Sequence, residues 1–272
     1  MIKKIIKTVL FFTGFILCVY PLFSSLINDL RQEDILGSYE KIVSVNENVI
    51  DEEKEKAYKY NKALYDKQNG ITDSEINEIL SESNYNKIVD VAGSGIMGSI
   101  EIPKIRLRLP IYHGTDDKVL ASGAGHLEGT SFPTGGVNTK CVITGHRGLP
   151  DANLFLRLDE IKENDVFFLK TGDSELVYKV RDIKVVEPDD NMVGFIEDNK
   201  DLVSLVTCTP YGLNTHRLIV TGERTYEYKN IDIIRKKKNF ETSSFRRSIM
   251  NFLPFILLLL AAIKFIKRKR RD

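Results

Sequence analysis

The sequence is poor in cysteine and histidine and almost neutral overall, and each shortage closes off a class of protein. Its three cysteines, Cys18, Cys141 and Cys208, are scattered, so no disulfide framework is implied. The four histidines, His113, His126, His146 and His216, form no HxxxH pattern and no CxxC accompanies them. A zinc site is therefore not expected, nor is any other cofactor. Lys+Arg number 39 against Asp+Glu 38, a net charge of +1, which gives no bulk attraction to nucleic acid. No repeat or low-complexity tract appears. At 272 residues the chain can bury one substantial core and carry appended segments.

What the sequence does hold is apolar at both ends. Residues 1–28 combine Lys3, Lys4 and Lys7 with a nearly uninterrupted apolar run over 9–23. The run is near bilayer length, which favours an uncleaved, signal-like anchor over a cleaved signal, and Pro21 is expected to kink it. A second apolar run spans 249–266, preceded by a basic linker over 229–248 and followed by a basic tail over 267–272. Such a tail stays in the cytoplasm, and so do the N-terminal lysines. The expected layout is two transmembrane helices in a cell membrane, both termini cytoplasmic and the intervening chain extracellular.

Between the anchors, residues 29–68 are charged, lack proline and space Leu30, Ile35, Leu36, Tyr39, Ile42 and Val43 at roughly helical intervals. This reads as a helical stalk packed on the main domain. Residues 69–94 open at Asn69-Gly70 and are polar and weakly patterned, which reads as a linker or a lid. From residue 95 to 228 the pattern is strand-like. Runs at 97–102, 106–112, 139–144, 166–169, 176–186, 202–207 and 217–221 are β-rich and separated by turn residues, with short helices at 118–120 and 153–158. Many short strands of this kind predict a mainly β domain, a closed or nearly closed barrel. The Arg106-Leu107-Arg108-Leu109 alternation gives its sheet one wet face.

Chemistry concentrates at two strand ends. Cys208 closes an apolar run and is followed by polar turn residues, and Arg217 opens the next run. If those strands are neighbours, a nucleophile and a fixed cation share one end of the sheet, where positive charge favours the thiolate and can stabilise an oxyanion. Cys141 and Cys18, inside apolar runs, read as small apolar residues. His146 leaves an apolar strand for a loop, the same setting as Cys208, and is the candidate proton carrier. His113 and His126 read as structural, His126 also as a residue lining the cleft. His216 adjoins Arg217 and should face the other way in an extended segment. No third acid to orient the histidine is evident.

These residues resemble the sortase family, the cysteine transpeptidases of Gram-positive cell surfaces. The histidine motif matches Thr144-Gly145-His146-Arg147, the cysteine motif Leu205-Val206-Thr207-Cys208, and the arginine Thr215-His216-Arg217. The run 207–217, with 95–103, 110–114 and 125–131, is similar to the pilus-assembling class, class C. The resemblance implies an eight-stranded β-barrel in which Cys208 is the nucleophile, His146 transfers protons and Arg217 stabilises the oxyanion and substrate. Read from their own positions, His126, Thr207, Asn214 and Thr215 are candidates for lining the substrate cleft. The implied substrate is an LPxTG-type sorting signal of a pilin or surface protein, cut between threonine and glycine through a thioacyl enzyme. The implied acceptor is a pilin lysine amine, with no metal. A sortase that loads cell-wall precursor, a hydrolytic cysteine peptidase and a non-enzymatic extracellular peptide-binding module are the competing readings. Class C lids often carry Asp-Pro-aromatic; here Asp73 stands without that proline or aromatic, and is the lid candidate.

Overall fold

The computed structural model describes residues 2–81, 85–148, 154–188 and 191–226. Eight strands close into a barrel: β1 (Ile96–Ile102), β2 (Leu107–His113), β3 (Ala124–His126), β4 (Thr139–Thr144), β5 (Val166–Thr171), β6 (Ser174–Val186), β7 (Asp201–Thr209) and β8 (His216–Arg224). Around the barrel they run β1-β2-β3-β4-β7-β8-β6-β5. Seven of the eight correspond to the β-rich runs of the sequence. The three-residue β3 has too few residues to show a period, and pairs in parallel with β2.

Period-two alternation separates the barrel's inside from its outside. Met97, Leu109, Cys141, Ile143, Phe167, Tyr178, Val203, Leu205 and Val220 belong to one buried cluster. Val142, Val206 and Ile219, one residue out of step, form a separate cluster on the other face. The alternation therefore yields a packed interior and a second, partly covered apolar stripe across β4, β7 and β8.

Two helices precede the barrel: α1 (Ile2–Val45), which continues through Pro21, and α2 (Glu47–Gln68). The C-terminal half of α1 buries Leu36, Tyr39 and Val43, and the Tyr39 hydroxyl donates to the Met97 carbonyl at 3.1 Å. Glu40 on α1 pairs with Arg108 on β2 and Lys170 on β5, each at 2.8 Å. The wet face expected at Arg108 is thus a helix-docking face. On α2, Asn61 accepts from the Phe132 amide at 2.7 Å and donates to the Phe132 carbonyl at 3.3 Å, fixing the β3–β4 connection. Among the described residues, no helix is long and apolar enough to cross a membrane. The expected C-terminal span at 249–266, with its flanking linker and tail, lies outside the described residues.

The stretch 69–94 is better anchored than its polarity suggests. A short helix α3 (Ser74–Ile79) is followed by Tyr85, Ile88 and Val89, all at most 2% exposed and all in the main core cluster. Tyr85 packs against Phe132 and His126 with ring centroids 5.5 and 5.8 Å apart, and its hydroxyl accepts from the Gly114 amide at 3.0 Å. Three large apolar side chains, one alone and two adjacent, within a polar stretch are too few to give a periodic signal, which is why the sequence reads as linker.

Candidate active site

β4 and β7 are parallel neighbours whose register pairs Thr139 with Asp201 and ends with Thr144 opposite Val206. The offset continues beyond the strand end: the Gly145 amide donates to the Val206 carbonyl at 3.0 Å, and the Thr207 hydroxyl donates to the Gly145 carbonyl at 2.7 Å. Carried one step further, past the end of β4, this register places His146 opposite Cys208. On the other side of β7, Cys208 is the direct antiparallel partner of Arg217, and Arg217 in turn faces Val186 of β6. His146, just past the end of β4, therefore lines up in one row with Cys208 on β7 and Arg217 on β8. All three are partly exposed, whereas Cys141 and His126 are buried.

The histidine loop is held by its neighbours. A Cβ on Gly145 would stand 2.7 Å from the Phe155 ring. Gly148 has φ +97°, and a Cβ there would stand 2.6 Å from the Tyr211 ring, so only glycine lets the β7–β8 loop close on this segment. Arg147 extends in the other direction. Its guanidinium donates to the Thr209 hydroxyl at 3.1 Å and to Asp159 at 2.6 Å, with the side chain only 8% exposed. The residue after the histidine is thereby tied to the residue after the cysteine. Asp117, on helix α4 (Asp117–Ser122), approaches His146 Nε2 to 3.9 Å, beyond hydrogen-bond reach, and is fully exposed. Adjacency to His146 was the only signal in the sequence for Arg147. Asp117, 29 positions away, had none.

Arg217 is oriented by backbone carbonyls, donating to Asn214 at 3.3 Å and His216 at 3.2 Å. Asn214 adopts φ +57°, a left-handed conformation that asparagine tolerates better than most residues. The Thr215 hydroxyl bonds the His216 ring at 2.8 Å, and His216 lies 3.4 Å from Glu187. Asn214 and Thr215 are exposed beside Arg217, so both are available to a ligand.

Two cleft candidates are corrected. His126 is 0% exposed, its Nε2 lies 2.9 Å from the Ser131 carbonyl and its Nδ1 3.0 Å from the Tyr85 hydroxyl. Both ring nitrogens are occupied, and burial holds the imidazole down to about 4, so it is a neutral core residue that touches no cleft. Thr207 is 1% exposed and faces inward, one residue out of phase with Cys208. Its hydroxyl serves Gly145, so it positions the histidine loop and is not available to substrate. The lid candidate Asp73 is exposed and its carboxylate accepts from the Ile76 amide at 2.8 Å, capping α3. Among the described residues no ion pair joins it to Arg217. No group of residues suited to a metal occurs among those described.

The row can carry out acyl transfer: a thiol nucleophile flanked by an imidazole for proton movement and a guanidinium for oxyanion charge. Comparisons with known proteins agree with this chemistry. Residues 100–225 match the family model described as Sortase domain. The sortase C1 structure of Streptococcus agalactiae is 39% identical, covering 71% of this chain and 98% of that one at TM-score 0.63. Sortase C of Clostridium perfringens SM101 is 40% identical with the same coverage and TM-score 0.58. Sortase D of Bacillus subtilis (strain 168) is 33% identical over 130 residues, 47% of this chain and 63% of that protein. The match to Sortase A of Bacillus anthracis likewise spans 59% of that protein, under two thirds of its length. This chain belongs to the sortase family of cysteine transpeptidases, and its structural relatives are class C enzymes.

Proposed function

We propose that this class C sortase is a membrane-anchored transpeptidase that cleaves an LPxTG-type sorting signal between threonine and glycine and joins it to a pilin lysine amine. The observation that carries the reading is the His146–Cys208–Arg217 row. In the first half-reaction Cys208 Sγ bonds to the threonine carbonyl carbon, and Arg217 holds the oxyanion. The C–N bond to glycine then breaks, and His146 supplies the proton to the departing amine. In the second, a lysine amine attacks the thioester carbon and gives its proton to His146. The C–S bond breaks and the thiolate returns.

The class C relatives support the pilin acceptor; one of them, from Streptococcus pneumoniae, is described in terms of pilin substrate specificity. Another, from Clostridium perfringens, was solved with a C-terminal cell wall sorting motif. Support for the membrane anchor comes from the N-terminal lysines and from α1, where Leu10, Ile16, Leu17, Tyr20 and Phe23 are each more than half exposed. An aqueous setting disfavours such a stripe. Asn214 and Thr215 would face the acceptor amine.

The test is to incubate the full-length protein with an LPxTG-type peptide and then with a candidate pilin. A covalent adduct at Cys208, followed by ladders that survive boiling in detergent, is expected. Adduct formation unchanged in Cys208→Ala would overturn the transpeptidase reading. Product linked only to wall precursor would replace pilin polymerisation with wall attachment.

A further inference from the structure

The catalytic row is one end of a longer feature on the outer face of β4, β7, β8 and β6. Below it, Thr144, Val206, Ile219 and Lys184 make a second row, and Val142, Ser204, Thr221 and Asp182 a third. Lys140 opens a fourth. Over these rows lies a cavity of about 250 Å³, walled by Val193 and Phe195 from the β6–β7 connection. Its lining runs from Val186, the neighbour of Arg217 in the catalytic row, to Lys140 at the far end. The floor between them holds a buried hydroxyl pair, Ser204 and Thr221, at 2.8 Å. On β7 and β8 the stripe is apolar near the reactive end, with Lys184 at its β6 edge, and most of its charges lie at the remote end.

The charges at the remote end do not cancel. Arg181 is taken by Glu197 at 2.7 Å and Glu223 at 3.4 Å, Lys184 by Asp182 at 2.7 Å, and Lys200 by Glu223 at 2.6 Å. Lys140 is left over. It is 6% exposed, and among the described residues its ammonium has no hydrogen bond or ion pair. Burial pulls that ammonium down to about 8. Asp182 and Glu197 favour its charged form only from beyond ion-pair distance, so a carboxylate entering the cavity would be its first direct partner.

On the transpeptidase reading above, an extended substrate has its scissile carbonyl at Cys208 and its N-terminal side along the strands. We infer that Lys140 selects sorting signals carrying an acidic side chain upstream of the pentapeptide motif, by receiving that carboxylate in the remote end of the cavity. The spacing sets the position. Lys140 lies six residues before His146, about 20 Å of extended chain. An extended peptide covers that distance with roughly six residues counted from the scissile bond. The apolar stripe between accommodates the uncharged part of the motif. The recognition element is the unpaired cation, so glutamine should not substitute for glutamate.

The experiment uses the full-length protein and LPxTG-type peptides in which one glutamate is moved stepwise upstream of the motif, each matched to its glutamine counterpart. Binding is measured by fluorescence anisotropy on Cys208→Ala, and cleavage as kcat/KM on the unmodified protein. At the favoured position glutamate should exceed glutamine roughly five- to tenfold in both. Lys140→Met should erase the difference and Lys140→Glu should turn preference toward a lysine at that position. A second neutral variant, Lys140→Gln, guards against a packing defect confined to methionine. Equal binding of glutamate and glutamine peptides at every position would overturn the inference, whether or not cleavage occurs. Selective binding with no cleavage of any peptide would sustain it and count against the transpeptidase reading instead.

Discussion

His126 and His146 each follow a glycine, and each stands at or just beyond the end of an apolar strand, yet their surroundings are opposite. His126 is sealed between Tyr85, Phe132 and the Ser131 carbonyl. His146 is one strand away from Cys208 at the barrel rim, with its side chain 30% exposed. The cysteines divide the same way. Cys141 on β4 faces the interior, and burial pushes its thiol well above the ordinary range. Cys208 on β7 faces outward beside a guanidinium. The same residue types serve as core on one face of the β4–β7 pair and as candidate catalytic groups on the other. Strand parity and a single further residue of register decide which.

The sharpest way to break this contrast is to exchange the roles of the thiols. Cys208→Ala should remove the covalent adduct entirely, and Cys141→Ala should leave its formation intact, with mass spectrometry of the peptide-treated protein as the measurement. Cys141→Ala acts on stability instead, costing on the order of 1 kcal/mol in urea unfolding because it trims a buried group. An adduct on Cys141 would mean that parity does not separate the two faces.

The histidines differ next in acid. In the unfolded chain His126 takes its proton near 6.5, and in the folded protein only near 4. Its contribution to stability is therefore complete above about 6.5 and drains away as pH falls toward 4, by up to about 3 kcal/mol. Unfolding free energies between pH 7 and 4 should show this slope, and His126→Gln should flatten it. Tyr85→Phe addresses the same cluster at fixed pH. Losing the hydroxyl that meets His126 Nδ1 and the Gly114 amide should cost about 1–3 kcal/mol. KM for an LPxTG-type peptide should stay the same, since neither group reaches the outer face.

A subtler case is Arg147, which belongs to the outer face by sequence but is almost buried. Arg147→Lys keeps the charge and loses the forked bonds to Thr209 and Asp159. A fall in kcat of about tenfold with KM little changed is expected, because the change loosens the spacing of His146 and Cys208 without touching substrate. A matching rise in KM would show that Arg147 meets the substrate. The smallest effect belongs to Asp73→Ala. Removing the α3 cap should cost about 1 kcal/mol of local stability and leave kcat/KM unchanged. A rise in kcat/KM would restore Asp73 as a lid residue over the cleft.

Much of the site was legible because it uses rare residues in marked places. Cys208 and His146 each end an apolar run, and Arg217 begins one, so strand-end chemistry could be read without coordinates. Thr207 misled for the same reason: it adjoins Cys208 in sequence, but alternation turns its hydroxyl inward to Gly145. His126 was half legible, since burial of a polar ring depends on Tyr85, which lies 41 positions earlier. Lys140 carried no signal at all. Its isolation follows from three other cations being claimed by carboxylates drawn from β6, β8 and the β6–β7 connection.

By itself, the sequence determined the alternation that makes the strands and the residue types that make a thiol acyl-transfer site, because both are local properties of spacing and side-chain chemistry. Only the tertiary structure decided the β4–β7 register that brings His146 beside Cys208, the burial that silences His126 and Cys141, and the charge left over at Lys140. Those depend on which distant segments meet, and pairing between strands 62 residues apart has no local trace in the chain.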